Sequence, residues 1–160
     1  MKYPFIITLS GFLFFTCFAK QGKEASNPNN HPTQDEINLN NKIIDSKMKI
    51  KIGSDTFTAT LYENKTTEAL KAILPLTLDM SELNDNEKYG QLSANLPTNT
   101  TNIGTIHEGD LMLWGANTLV LFYKTFSTSY KYTKIGRIDN PDGLAKVIGS
   151  GNVTITFELE

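Results

Sequence analysis

Asp110-Leu111-Met112-Leu113-Trp114, Gly115-Ala116-Asn117 and Thr118-Leu119-Val120-Leu121-Phe122-Tyr123 follow one another without a break and carry the clearest sign of the architecture. Two strand-like runs flank a glycine-led tight reversal, the signature of two β-strands joined by a short turn. The pattern continues on both sides. Downstream, Tyr130-Lys131-Tyr132-Thr133-Lys134-Ile135 and Val153-Thr154-Ile155-Thr156-Phe157 read as strands, and so do Leu76-Thr77-Leu78-Asp79-Met80 and Tyr89-Gly90-Gln91-Leu92 upstream. Lys47-Met48-Lys49-Ile50-Lys51-Ile52 alternates charged and apolar residues, the period of a half-buried strand. The turn Gly53-Ser54-Asp55 and the alternating Phe57-Thr58-Ala59-Thr60-Leu61 complete a β-hairpin.

Helical signals are few. Asn64 offers a cap and Glu68 an early carboxylate before Ala69, Leu70, Ala72, Ile73 and Leu74, so a short helix is expected there, halted by Pro75. Asn140-Pro141-Asp142-Gly143 opens a helical turn through Val147, which Gly149-Ser150-Gly151 closes. Many short strands with one or two short helices give a mainly β fold, a small closed or nearly closed barrel. No internal repeat is visible.

The chain starts Met1-Lys2 and runs from Phe5 to Phe15 without a charge, a stretch short of the roughly 20 apolar residues that span a bilayer. A cation, a short apolar centre and small residues after it read as an export signal over residues 1–19. Its end has two readings. Cys17-Phe18-Ala19 suits ordinary cleavage before Lys20, whereas Leu13-Phe14-Phe15-Thr16-Cys17 looks like a degenerate lipobox, with the cut before Cys17 and lipid on its thiol. Cys17 is the only cysteine, so no internal disulfide is available. Residues 20–46, with Asn27-Pro28-Asn29-Asn30 and Asn38-Leu39-Asn40-Asn41, read as a flexible Asn-rich linker. The remainder, 47–160, is the size of one domain. An export signal places it at the cell envelope, in the periplasm or anchored to a membrane by lipid, or else secreted. With 15 basic and 17 acidic residues interspersed, no basic stripe exists, which argues against nucleic acid as a partner.

Leu76-Thr77-Leu78-Asp79-Met80-Ser81-Glu82-Leu83-Asn84, Asn86-Glu87-Lys88-Tyr89-Gly90, Gly109 to Gly115, Leu121 to Tyr130 and Ile135-Gly136-Arg137-Ile138 follow one another in an order that resembles the bacterial cyclophilin-like family. The resemblance covers nearly all of Met48 to Phe157 and implies a small β-barrel with short helices. It implies no activity, because function does not travel with fold. True cyclophilins are prolyl isomerases with an arginine in a Phe-His-Arg run, followed by Phe-Met and Gln-Gly-Gly-Asp-Phe. None of these runs is present, and the only arginine, Arg137, sits in Ile135-Gly136-Arg137-Ile138-Asp139.

Other chemical signatures are also missing. His107 is not part of an H-E-x-x-H helix, since no second histidine follows and Gly109 intervenes; it reads as a solvated turn residue. No metal site is expected. Gly149 and Gly151 form only G-x-G, placed after a helical turn and before a strand, the reverse of a pyrophosphate cradle, and no cofactor is expected. Trp114, at the end of an alternating strand, reads as core or barrel rim.

The most unusual run is Tyr123 to Tyr132, dense in phenols and hydroxyls, with Arg137 shortly after. An aromatic wall, hydroxyl donors and one guanidinium suit a small anionic or peptide-like ligand, and Tyr123, Ser127, Tyr130 and Arg137 are the expected wall. Glu87 and Tyr89 are expected to meet Arg137 across the barrel. The leading expectation is therefore an exported barrel that binds a small molecule or peptide without catalysis. A divergent prolyl isomerase and an envelope interaction domain using an exposed sheet edge are the alternatives.

Overall fold

The structure is a computed structural model and describes residues 46–160. The export signal, Cys17 and residues 20–45 of the linker lie outside the described residues. Nine strands and two helices follow in chain order among the described residues: β1 (Lys47–Ile52), β2 (Asp55–Leu61), α1 (Lys65–Lys71), β3 (Leu76–Leu83), β4 (Glu87–Gln91), β5 (Thr101–Ile106), β6 (Asp110–Trp114), β7 (Thr118–Phe122), β8 (Phe126–Ile138), α2 (Leu144–Ile148) and β9 (Val153–Leu159).

The strands hydrogen-bond in the order β2-β1-β9-β3-β4-β7-β6-β8-β5, and β2 pairs with β8 as well, which closes the first eight into a ring. Every pairing is antiparallel. At the β6–β7 hairpin, Leu111 faces Leu121 and Trp114 faces Thr118. Gly115 turns the chain there with φ of +60°, a conformation that costs a residue without Cβ little. Closure depends on another glycine. Gly136 lies opposite Leu61, and a Cβ built on it would stand 2.5 Å from the Thr60 carbonyl oxygen. Only a bare Cα lets β2 and β8 approach this closely.

Period-two alternation sends one set of side chains inward. Met48, Ile50, Leu61, Met80, Leu111, Leu113, Leu119, Leu121, Ile155 and Phe157 fill the barrel. The helices close its mouths. Since β2 and β8 run antiparallel, α1, which follows β2, and α2, which follows β8, sit at opposite ends; Leu70 comes from the first, Leu144 and Ile148 from the second. Asn64 caps α1 by accepting from the Thr67 N–H at 2.9 Å, as its sequence predicts.

Two features lay beyond the sequence reading. Lys88 points into the barrel and is fully buried. Its ammonium binds the Glu82 carboxylate and the carbonyl oxygens of Gly149 (2.8 Å) and Gly151 (2.7 Å), so all three donors are used. The second is β8, thirteen residues long. Its C-terminal half belongs to the barrel wall, while Phe126–Tyr132 leaves that wall and pairs with β5, with a bulge between Asn102 and Gly104. This arm lies over the outer face of the barrel. There Ile106, Met112, Val120, Phe122 and Tyr132 form a second small core, joined by Tyr89, Ile103 and Phe126. Every residue of β7 is consequently buried.

Candidate functional site

Between the arm and the barrel wall the second core leaves a cleft of about 430 Å³. Four sets of side chains line it. β4 presents Glu87 and Tyr89, the outward partners of inward Lys88 and Gly90. β6 and β7 present Trp114, Thr118 and Val120. The arm presents Phe126 through Tyr130 and Tyr132, and the end of β3 with the turn after it adds Leu83, Asn84 and Asn86. The aromatic walls are fixed by packing. Phe122 meets Tyr132 edge-on at 5.5 Å between centroids and Phe126 at 5.8 Å. The rim is open, for Trp114 is 54% and Tyr130 67% exposed.

The cleft is electrically one-sided. No Lys, Arg or His lines it among the described residues, and its one ionisable acid, Glu87, is only 8% exposed. Neither a cation nor a hydrogen-bond donor engages the Glu87 carboxyl among the described residues. Burial, with a smaller push from Glu82, raises it to about 7. Tyr132 is pushed up to about 12, first by burial and then by Glu87 and Tyr130, which places these groups within electrostatic reach of each other. Asn86 Oδ1 is also buried without a hydrogen-bond partner among the described residues.

Of the six residues expected at a site, the structure brings Glu87, Tyr89, Ser127 and Tyr130 together in this cleft and places Tyr123 and Arg137 elsewhere. Tyr123 has the inward parity of Leu119 and Leu121. It is 3% exposed, and its hydroxyl donates to Glu82 Oε2 at 2.8 Å. Burial and then the Glu82 carboxylate raise its pKa, while the Lys88 and Tyr123 donors hold Glu82 below its ordinary value despite burial acting the other way. Lys124 binds Asp85 at 2.8 Å beside this network.

Arg137 does not meet Glu87 or Tyr89. It lies on the wall portion of β8 opposite Asp110, with Nε 3.6 Å from Asp110 Oδ1. A shallow groove there of about 350 Å³ also contains Thr60, Tyr62, Asp139 and Pro141. The basis for an anionic ligand in the aromatic cleft is therefore gone. His107 is a half-exposed turn residue, with Nδ1 3.8 Å from Asp110 Oδ2. No group of three or more potential metal-ligating side chains occurs among the described residues.

The sequence reading missed Trp114, Phe126 and Tyr132 as cleft residues. A signal was present in Leu119-Val120-Leu121-Phe122, an unbroken apolar run. Such a strand is covered on both faces, so something had to lie on the barrel's outside.

The molecule is a closed antiparallel barrel of eight strands, extended by a two-stranded arm that encloses an aromatic cleft on its outer wall. The Cyclophilin-like family model matches residues 50–158, and the chain belongs to that family. Among solved structures, McbB in complex with tryptophan superposes with a TM-score of 0.54 at 12% identity, over 69% of this chain and 44% of McbB. This chain thus corresponds to less than half of that protein. The hypothetical protein AF2241 from Archaeoglobus fulgidus superposes with a TM-score of 0.50 at 21% identity, over 73% of this chain and 96% of that one. At these identities both establish a shared fold. No curated protein matches the sequence.

Proposed function

We propose that this barrel is a ligand-binding module whose outer cleft takes a small molecule or a short peptide segment. One observation carries the reading: a cleft of about 430 Å³ with aromatic walls has in its lining a buried carboxyl group that no protein cation or donor engages among the described residues. Folding leaves such a group unpaired at a cost, and clefts that do so are over-represented among binding sites. Hydroxyls of Ser127, Thr128 and Ser129 and the amides of Asn84 and Asn86 supply further polar contacts around an apolar interior.

Binding without turnover suits this set of side chains. The guanidinium that a prolyl isomerase would use is represented only by Arg137, outside the cleft and beside Asp110. We place the module at the bacterial cell envelope, either held by lipid on Cys17 or released by cleavage after Ala19. The leader sequence alone motivates that placement. The cleft reading is tested by amide chemical-shift mapping of a fragment library. Shifts concentrated on Glu87, Tyr89, Thr118 and Ser127–Tyr130 support it. A library that moves none of them, or moves only residues near Arg137, overturns it.

A further inference from the structure

The polarity of the cleft narrows what fits it. A ligand with a carboxylate or phosphate would bring its charge beside Glu87 and find no lysine, arginine or histidine lining the cleft among the described residues. A neutral ligand would leave an ionised Glu87 partly desolvated and without a counter-charge. A cation would relieve both deficits. It would also meet the π-face of Trp114 and the π-faces and phenol oxygens of Tyr89, Tyr130 and Tyr132, groups that attract ammonium ions electrostatically.

Resting on the ligand-binding reading above, we infer that the ligand of this cleft carries a cationic nitrogen, a primary or alkylated ammonium, which pairs with Glu87 while its apolar substituent lies against the aromatic walls. The surroundings of Glu87 do not supply that charge from any side. From β3 the charged group acting on it is Glu82, itself an acid. From β8 the facing titratable groups are the phenols Tyr130 and Tyr132, and β7 contributes Thr118 and Val120. On β4 itself the neighbouring Lys88 points into the barrel and is saturated by Glu82 and two carbonyls. In the β3–β4 turn, Asp85 is bound to Lys124.

The test uses three probes of one shape: phenethylamine (cation), 2-phenylethanol (neutral) and phenylacetate (anion). Trp114, the only tryptophan in the chain and a cleft residue, is the fluorescent reporter. At about pH 8, with Glu87 ionised, phenethylamine should bind about tenfold more tightly than 2-phenylethanol, and phenylacetate more weakly than either. Glu87→Gln should abolish the preference for the amine and bind 2-phenylethanol at least as tightly as the wild type does, since no charge is then desolvated; amide shifts at Thr118 and Ser127–Tyr130 on adding the alcohol report that the cleft is still formed. Tyr130→Ala, at an exposed position that does not endanger folding, should weaken the amine more than the alcohol. Equal affinity for amine and alcohol in the wild type, or a preference that survives Glu87→Gln, overturns the inference while the cleft remains a binding site. Failure of all three probes to change Trp114 fluorescence or shift cleft amides also overturns it, and the fragment map decides separately whether the binding reading falls too.

Discussion

Replacing Glu87 with glutamine should make the protein more stable, and only at neutral and alkaline pH. The carboxyl is moved by burial from its ordinary 4.5 to about 7, and the residue is 8% exposed. The folded state therefore holds this proton more tightly than the unfolded chain does. Stability falls as pH rises from about 4.5 to about 7 and then levels off, the reverse of the usual acid-labile carboxylate. At about 1.4 kcal/mol per pH unit the full effect is about 3 kcal/mol, and solvent in the cleft screens part of it, so about 1–3 kcal/mol is expected. Glutamine has the shape of the protonated acid and no titration. Urea unfolding at about pH 4 and pH 8 should show the two proteins nearly equal at the lower value and the variant ahead by about 1–3 kcal/mol at the higher. Glu82, Asp85 and Asp139 are all held below their ordinary values, so their contributions change only in more acidic solution. The reasoning is refuted by a difference that is the same at both pH values, or by a wild type that gains on the variant as pH rises.

Gly136→Ala should cost about 3 kcal/mol in urea unfolding, because its Cβ would stand 2.5 Å from the Thr60 carbonyl where β2 and β8 close the barrel; a neutral effect would deny that closure. Lys88→Met should cost about 3–5 kcal/mol by the same measurement, since Glu82 and the carbonyls of Gly149 and Gly151 lose their donor inside the barrel. A proline-peptide isomerisation assay should give no rate above background, as no guanidinium lines the cleft; a rate abolished by Tyr130→Ala would reverse that view. Mass spectrometry of the mature chain should find an N-terminus at lipid-modified Cys17 or at Lys20, and an intact Met1 terminus on exported protein would rule out the leader reading.

The barrel was legible because alternation is a strong local signal. Lys47–Ile52, Phe57–Leu61 and the hairpin through Gly115 are strands in the structure as in the pattern, and Asn64 caps the helix its position suggests. β5 was not legible. Thr101-Asn102-Ile103-Gly104-Thr105-Ile106 has few apolar residues and a glycine at φ +74°, and it becomes a strand through pairing with the arm of β8. Phe126-Ser127-Thr128-Ser129 was equally obscure, since its hydroxyls suit a loop as well as an open cleft wall. Closeness in sequence also misled the grouping of site residues. Tyr130 and Arg137 lie on one extended strand, where seven residues span roughly 23 Å. Lys88 is the reverse case: a lysine between Glu87 and Tyr89 reads as solvated, and only the barrel's inward geometry, with carbonyl acceptors from a distant loop, accounts for its burial.

The most direct test of the central claim is a crystal structure of the protein with phenethylamine bound at about pH 8, where Glu87 is ionised. The account predicts the ammonium within hydrogen-bond distance of a Glu87 carboxylate oxygen and the ring between Tyr89, Trp114 and the β8 arm. An empty cleft with the amine bound elsewhere, or an amine that turns its nitrogen to solvent and away from Glu87, would contradict it.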